Sequence, residues 1–388
     1  MSQTRLLILG ATGSIGHQAL DVVGHLGDRF AVVGLASSSN WADLAGAADA
    51  VGVADLALAC PDAAAQLAGA RPDLRVRSGV AGIVDLVQSV EADVVVVAIA
   101  GLAALDPMLA ALRRGLRVAF ASKEPLVAAG RLVTETARRH VAALIPIDSE
   151  ISAVFQCLHG VPPETVERIL LTASGGPFAG LSREQLAAVT PEQALAHPTW
   201  RMGPKVTVDS ATLMNKGFEV FELHWLFDMP VSRIEVVIHH QSVIHSAVQL
   251  ADSSTVAQMS LPDMRAPIQY ALTYPERLPN ELPRLDLPSL GQMTFARPDE
   301  SRFPCLRLAY EAAASGGTYP AVLNAADEVA VAAFLDGRLG FTAIPAVLEA
   351  VLESHDPDTD DRLDSLLAAD EWARRATELE LAGRAAPS

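Results

Sequence analysis

Two carboxylates stand two residues apart, Asp148 and Glu150, and a third, Glu219, follows Asn215 and Lys216 on what reads as one helix face. In an extended loop, side chains at i and i+2 point the same way, so Asp148 and Glu150 are expected to converge on one cation. Glu219 would supply a third oxygen. An all-carboxylate donor set without cysteine suits Mg²⁺ or Mn²⁺, with positions left open for substrate oxygens. Asn215, Lys216 and Glu219 fall at i, i+1 and i+4, which stacks Asn215 and Glu219 one turn apart with Lys216 beside them. Taken singly, the same residues could be a capping acid, solvated carboxylates and a surface Lys–Glu pair. Gly217 argues against the surface pair: a helix interior that accepts a glycine costing roughly 1 kcal/mol suggests close approach by a ligand. Ser174 beside Gly175-Gly176, together with Ser210, adds hydroxyls suited to phosphate.

A second motif, Gly10-Ala-Thr-Gly13-Ser-Ile-Gly16, follows a short apolar run and precedes a helical stretch. Small residues there let the backbone approach a pyrophosphate, and a helix N-terminus offers N–H groups and partial positive charge. No acid ends the second strand to grip a ribose 2′-hydroxyl. Ser37-Ser38-Ser39-Asn40 stands in that place, so NADP is favoured over NAD.

The elements that must position these residues fall into three expected parts, an α/β architecture overall. Residues 1–150 alternate apolar runs (Leu6–Leu9, Phe30–Ala36, Val94–Ile99, Val118–Ala121, Val141–Ile147) with alanine-rich helical stretches, the pattern of a Rossmann-like, doubly wound parallel sheet. Residues 151–274 read as a central α+β catalytic domain. Its strands are expected at Ile169–Thr172, Val206–Val208, Ile234–Ile238, Ile244–Leu250 and Thr255–Ser260, with Ser210 capping a helix to about Phe227. Prolines at 275, 279, 283, 288 and 298 predict an irregular linker over 275–304. Residues 305–388 read as a C-terminal helical bundle with helices near 305–315, 322–336, 343–353 and 362–381. Leu363, Leu366, Leu367, Trp372, Ala376 and Leu379 form the expected apolar stripe of the last.

Composition bounds the partners. At 388 residues, half of them hydrophobic, the chain can build two or three cores. A formal net charge of −17 without a Lys/Arg block argues against nucleic acid or an anionic membrane. Three cysteines, Cys60, Cys157 and Cys305, give neither a disulfide framework nor metal-ligand spacing, and a reducing cytoplasm is expected. The first apolar run is too short for a signal peptide or membrane span.

The ordered set of motifs closely resembles the 1-deoxy-D-xylulose 5-phosphate reductoisomerase family over most of the chain. It comprises the 10–16 turn, Ser-Lys-Glu at 122–124, Pro-Ile-Asp-Ser-Glu at 146–150, Ser-Gly-Gly-Pro-Phe at 174–178 and His-Pro-Thr-Trp-Arg-Met-Gly at 197–203. Val-Asp-Ser-Ala-Thr-Leu-Met-Asn-Lys-Gly at 208–217, Gln-Ser-Val-Ile-His-Ser at 241–246 and Pro-Asp-Met-Arg at 262–265 complete it. The resemblance implies metal ligation by Asp148, Glu150 and Glu219, and substrate contacts from Ser149, Ser174, His197, Ser210, Asn215 and Lys216, several of them around a phosphate. Lys123 is implied in the chemistry. Thr12, Gly13, Ser14, Ile15, Ser38, Ser39, Asn40, Ser122, Glu124 and Gly203 are implied NADPH contacts. His197, Trp200 and Met202 lie in an implied flap with Trp200 as its apolar lid, and His245 falls in a motif near the site. A homodimer is implied, as are retro-aldol cleavage and re-aldol joining of a phosphorylated sugar followed by hydride transfer.

Four positions depart from that pattern: Ser38-Ser39 in place of Gly and a basic residue, Ser122 for Asn, Pro125 for a small hydroxyl residue, and Ile151 for a frequent His. None removes an implied metal or phosphate ligand. His239 and His240 read as structural strand-end residues, and Trp225 as core. A metal-free dehydrogenase of the aspartate-semialdehyde type would need a thiolate nucleophile, for which Cys157 and Cys305 have no activating neighbours. A non-catalytic NADP sensor would have no use for the paired carboxylates.

Overall fold

The computed structural model describes residues 3–197, 200, 202–358 and 362–385. Eleven strands are described: β1 (Thr4–Leu9), β2 (Phe30–Ser37), β3 (Asp55–Leu58), β4 (Arg75–Ser78), β5 (Val94–Val97), β6 (Arg117–Phe120), β7 (Leu144–Pro146), β8 (Val166–Ala173), β9 (Ile234–Ile238), β10 (Ile244–Leu250) and β11 (Thr255–Met259). Helices α1 (Ser14–Leu26), α2 (Trp41–Val51), α3 (Pro61–Ala70), α4 (Gly79–Ser89), α5 (Leu105–Arg113), α6 (Glu124–Arg139) and α7 (Ser149–Cys157) interleave with the first seven. Then follow α8 (Arg183–Leu186), α9 (Pro191–Ala194), α10 (Pro204–Thr212), α11 (Met214–Phe227), α12 (Arg265–Thr273), α13 (Leu287–Leu290), α14 (Cys305–Ser315), α15 (Tyr319–Leu335), α16 (Ile344–Glu353) and α17 (Leu363–Ala385). The chain divides into two compact units. Met1–Pro125, Val133–Ser152 and Asp263–Pro283 make the first; Leu126–Leu132, Ala153–Pro262 and Arg284–Ser388 make the second.

The first unit is built on a seven-stranded parallel sheet in the order β4-β3-β2-β1-β5-β6-β7. Leu6 to Leu9 and Val95 to Val97 are fully buried, as expected for strands covered on both faces. Strand order reverses between β1 and β5, so the carboxyl ends of these strands open the crevice in which such folds take ligands. Strands β3 and β4 carry charge that hides them from a hydrophobicity reading: Asp55 accepts from Arg75 Nε at 2.9 Å and from Arg77 Nη1 at 3.1 Å. β4 is an edge strand, where charged side chains are tolerated and discourage further pairing. Late in the chain, α12 returns to this unit, with Arg265 paired to Asp263 at 2.7 Å and to Asp21 of α1 at 3.2 Å.

The second unit has a four-stranded sheet in the order β11-β10-β8-β9, with β8 parallel to β9 and the other pairs antiparallel. Helices α14 to α17 form its helical part. The buried stripe of α17 is Leu366, Ala369, Ala373, Thr377 and Leu381, spaced by three and four residues. Leu367 and Leu379 of the expected stripe are instead exposed, at 45% and 74%.

Three local expectations are corrected here. Val206–Val208 is not a strand but the first half of α10, whose N-cap is Gly203 and whose first helical residue is Pro204. Ser210 does not begin a helix; it sits within α10, and the break comes at Leu213, which adopts a left-handed φ of 65° before α11 starts. Gly217 does not make room for a ligand. A Cβ there would lie 2.4 Å from Cβ of Ala309, so the glycine permits α11 to pack against α14. Trp225, read from sequence as core, is half-buried, its ring lying where a Cβ on Gly130 would fall 2.1 Å from Cδ1.

Gly217→Ala should therefore lower stability by about 1–3 kcal/mol through overpacking, despite the better helix propensity of alanine. The double variant Gly217→Ala/Ala309→Gly should recover much of the loss in thermal denaturation; no recovery would place the strain elsewhere.

Candidate active site

In the first unit, Gly10 leaves β1 with φ +92°, and a Cβ there would sit 2.2 Å from the carbonyl oxygen of Ala98. Gly16, one turn into α1, packs equally tightly, 2.2 Å from the Gly10 carbonyl. Gly13 is the N-cap of α1 and offers no side-chain acceptor, so the first-turn N–H groups of that helix face outward unpaired by a cap. The Thr12 and Ser37 hydroxyls are hydrogen-bonded to each other, joining this turn to the end of β2. Asn40 caps α2, its Oδ1 accepting from the Asp43 N–H at 3.3 Å. Ser38, Ser39 and Asn40 form the exposed stretch after β2, and no acid occupies it. Ser122 donates to the Ile99 carbonyl at the end of the β5 strand segment. Ser14 and Ile15 open α1, and Glu124 opens α6.

Lys123 and Asp148 form a pair at 2.6 Å between side chains only 7% and 12% exposed. Taking an ammonium out of water is tolerated when a carboxylate lies against it, as Asp148 lies against Lys123. The 148–150 stretch is not extended. Ser149 and Glu150 already belong to α7, and the Ser152 N–H donates to the Asp148 carbonyl at 2.8 Å. Asp148 therefore precedes a helix whose first turn carries Glu150, a relation the i, i+2 argument did not foresee. Ser149 donates its hydroxyl to Glu150 Oε2 at 2.6 Å.

In the second unit two clusters form. Glu219, with 0% exposure, accepts from Asn215 Nδ2 at 2.6 Å through Oε1 and from Lys216 Nζ at 2.6 Å through Oε2. The i, i+3 and i, i+4 spacings of one helix thus place both donors on this carboxylate, and its burial removes the surface-pair alternative. The other cluster joins β8 to α10. Gly176 has φ +68°, and its missing Cβ would lie 2.7 Å from the Ser210 carbonyl, so the Ser174-Gly175-Gly176 turn nests directly on α10. His197 Nδ1 accepts from the Trp200 N–H at 3.0 Å, which puts the proton of the neutral ring on Nε2. That Nε2 faces Ser174 Oγ at 3.2 Å and Ser210 Oγ at 3.1 Å. Two hydroxyls and an imidazole N–H then converge beside the Gly176 N–H, an arrangement of donors fitted to a phosphate. Trp200 lies with its ring centroid 6.4 Å from that of His245. Gly203 is the N-cap of α10, Met202 precedes it, and Pro198, Thr199 and Arg201 of the same segment lie outside the described residues.

The remaining histidines of the motifs bond to backbone groups. His239 is fully buried; its Nε2 accepts from the Val243 and Ile244 N–H groups, so its Nδ1–H donates to the Thr294 carbonyl at 3.0 Å. His240 bonds the Ser174 carbonyl at 2.7 Å, and His245 the Ser260 carbonyl at 3.2 Å. The sequence reading missed Lys205 and Asp327, which pair within this unit at 2.7 Å although 122 positions apart (327 minus 205). Neither residue lies in an alternating or helical apolar pattern that would have singled it out.

A doubly wound parallel sheet whose first helix has no capping side chain, in a chain that also carries a group of three acids and a turn rich in hydroxyl and N–H donors, has the character of a nicotinamide-dependent oxidoreductase. A sequence model described as 1-deoxy-D-xylulose 5-phosphate reductoisomerase matches residues 6–130, and models of that enzyme's C-terminal domains match residues 144–227 and 259–376. The 1-deoxy-D-xylulose 5-phosphate reductoisomerase of Pelotomaculum thermopropionicum is 52% identical over 381 residues, covering 95% of this chain and 96% of the relative. The Zymomonas mobilis reductoisomerase, solved in complex with NADPH, is 42% identical with a TM-score of 0.91 over 98% of this chain and 99% of that one. A DOX-P reductoisomerase solved with NADPH, fosmidomycin and magnesium is 37% identical with a TM-score of 0.93, over 97% and 98% of the two chains. The chain belongs to the 1-deoxy-D-xylulose 5-phosphate reductoisomerase family.

The cysteines separate this family from the thiol-dependent rival. None of the three is in a disulfide, and burial pushes the Cys305 thiol well above its ordinary value, away from the thiolate a nucleophile requires. Alkylation of the native enzyme with iodoacetamide at pH 7 should leave its activity unchanged, whereas stoichiometric inactivation would return a cysteine to the chemistry.

Proposed function

We propose that this chain converts 1-deoxy-D-xylulose 5-phosphate to 2-C-methyl-D-erythritol 4-phosphate, using NADPH and one divalent cation, Mg²⁺ or Mn²⁺, in non-mevalonate isoprenoid biosynthesis. The observation that carries the reading is the fully buried Glu219 carboxylate, oriented by Asn215 and Lys216. Membership of the reductoisomerase family supports it, as do relatives solved with NADPH and with magnesium.

The residues present fit both groups. Asp148, Glu150 and Glu219 offer only hard oxygen donors and are the acids we assign to the cation. The turn at Thr12, Gly13, Ser14 and Ile15 fits a pyrophosphate, because a side chain at Gly10 or Gly16 would collide with backbone and α1 has no capping side chain. Ser38, Ser39 and Asn40 are assigned to the adenosine end, and Ser122, Glu124 and Gly203 to further cofactor contacts. When bound, the cation supplies Lewis acidity toward the substrate's ketone and neighbouring hydroxyl, and NADPH supplies the hydride that reduces the rearranged aldehyde.

The chain's own residues do the rest. Ser174, His197, Ser210, Asn215 and Lys216 hold the phosphate as a remote handle, whose binding energy orients the reacting carbons. The Ser149 hydroxyl meets the substrate backbone. Lys123, held against Asp148, stabilises the negative charge that develops as the carbon skeleton rearranges. Trp200, carried next to His197, covers the bound substrate and excludes water. The same reading makes the enzyme a cytoplasmic homodimer that binds neither nucleic acid nor membrane. Its formal charge of −17 supports this, and among the described residues no helix is long and apolar enough to cross a membrane.

Loss of NADPH absorbance with 1-deoxy-D-xylulose 5-phosphate should require a divalent cation, stop with EDTA and resume when Mg²⁺ is restored. Glu219→Gln should reduce turnover by about a thousandfold or more while NADPH affinity stays near wild type, since a preorganised electrostatic contribution is removed. A wild-type rate in that variant would refute the ligand assignment. Ser210→Ala should raise KM for the sugar phosphate about tenfold, the worth of roughly one charge-assisted hydrogen bond. An unchanged KM would remove Ser210 from the phosphate site.

A further inference from the structure

Three charged side chains lie together in the second unit beyond the residues assigned above. Lys205 Nζ is 2.7 Å from Asp209 Oδ2, 2.7 Å from Asp327 Oδ2 and 4.5 Å from the centroid of the Phe218 ring. Asp209 is 2% exposed and Asp327 not at all. An ionised carboxylate is tolerated at such burial only when it is compensated, and one ammonium compensates one of the two. Burial, with the neighbouring Asp327 charge, pushes the Asp209 carboxyl well above the usual carboxylate range. Asp209 Oδ1 and Asp327 Oδ1 have no hydrogen-bond partner among the described residues.

The placement of the cluster gives it a consequence for the site. Lys205 and Asp209 are one turn apart on α10, while Asp327 belongs to α15, so the ammonium ties these two helices. Ser210 follows Asp209 directly and meets His197 Nε2 at 3.1 Å, and Gly176 rests on the Ser210 carbonyl. A small rotation of α10 would separate these hydroxyl, imidazole and N–H donors.

We propose that Lys205, clamped between Asp209 and Asp327, is a positioning residue that seats α10 so that Ser210 and His197 meet the substrate phosphate. The proposal rests on the phosphate reading given above. An ion pair whose carboxylates are buried and whose ammonium is a quarter exposed adds geometric definition more readily than net stability, which is the property such a cradle needs.

Steady-state kinetics of the full-length enzyme with Mg²⁺ test it. Lys205→Met should raise KM for the sugar phosphate about tenfold while kcat and KM for NADPH stay within about threefold, the pattern of lost substrate binding. Lys205→Arg should restore most of that loss. Asp327→Ala, which cuts the tie to α15 and keeps the Lys205–Asp209 pair, should raise the same KM and serves if Lys205→Met does not fold. Folded Lys205→Met and Asp327→Ala enzymes with wild-type KM would overturn the proposal. So would failure of both to fold, since the cluster would then serve stability alone. Ser210→Ala separates the two claims: a wild-type KM there would sink the phosphate reading itself, whereas a raised KM there with a normal Lys205→Met would sink only the positioning role.

Discussion

A carboxylate wholly withdrawn from water is the constraint around which the second unit is arranged. Glu219 has no exposure, and both of its oxygens are met from its own helix, by Asn215 and by Lys216. Deleting one partner of a buried ion pair costs about 3–5 kcal/mol because the charge left behind is uncompensated, so all three residue types are held in place together. Their spacing demands a regular helix, and that helix must pack closely. Gly217, one position after Lys216, lets α11 approach α14 to within contact of Ala309. Sequence motif, helix packing and buried charge are thus one problem with one solution.

The other donors are fixed by backbone rather than by charge. At Gly10 and Gly176 a positive φ and a neighbouring carbonyl both exclude a side chain; Gly10 directly follows β1, and Gly176 lies three residues past the end of β8. His197 is oriented by the Trp200 N–H, which fixes its tautomer and aims Nε2 at two serine hydroxyls. Trp200 and His197 are neighbours in sequence, and a single backbone hydrogen bond links their positions.

Most of the fold was legible in the sequence because its strands are short, apolar and closed by turns. Leu6–Leu9, Phe30–Ala36 and the C-terminal helices near 305–315 and 343–353 match the structure within a residue or two. Legibility failed where another force outweighed the local pattern. β3 and β4 carry Asp55, Arg75 and Arg77, which neutralise one another at a sheet edge and look like loop in sequence. Val206, Thr207 and Val208 are β-formers, yet Pro204 at the first helical position and the i, i+4 Lys205–Asp209 pair hold them in a helix. Gly217 signalled close approach correctly, but the approaching group is a helix. The three acids were visible as residue types; the helix that carries Glu150 was not, because Ser149 and Glu150 follow a strand with no helix-start signal beyond Asp148. Long-range pairs such as Lys205 with Asp327 leave no trace in local spacing.

The assignment of one cation to acids contributed by α7, α11 and the residue before α7 is tested most directly by counting bound metal. Mn²⁺ titrated into the NADPH-bound enzyme, with free ion followed by its paramagnetic resonance signal, should give one tight site per chain. Asp148→Asn, Glu150→Gln and Glu219→Gln should each weaken that site by about tenfold to a hundredfold or more, in line with the loss of a ligand oxygen. Wild-type Mn²⁺ affinity in all three variants would contradict the account.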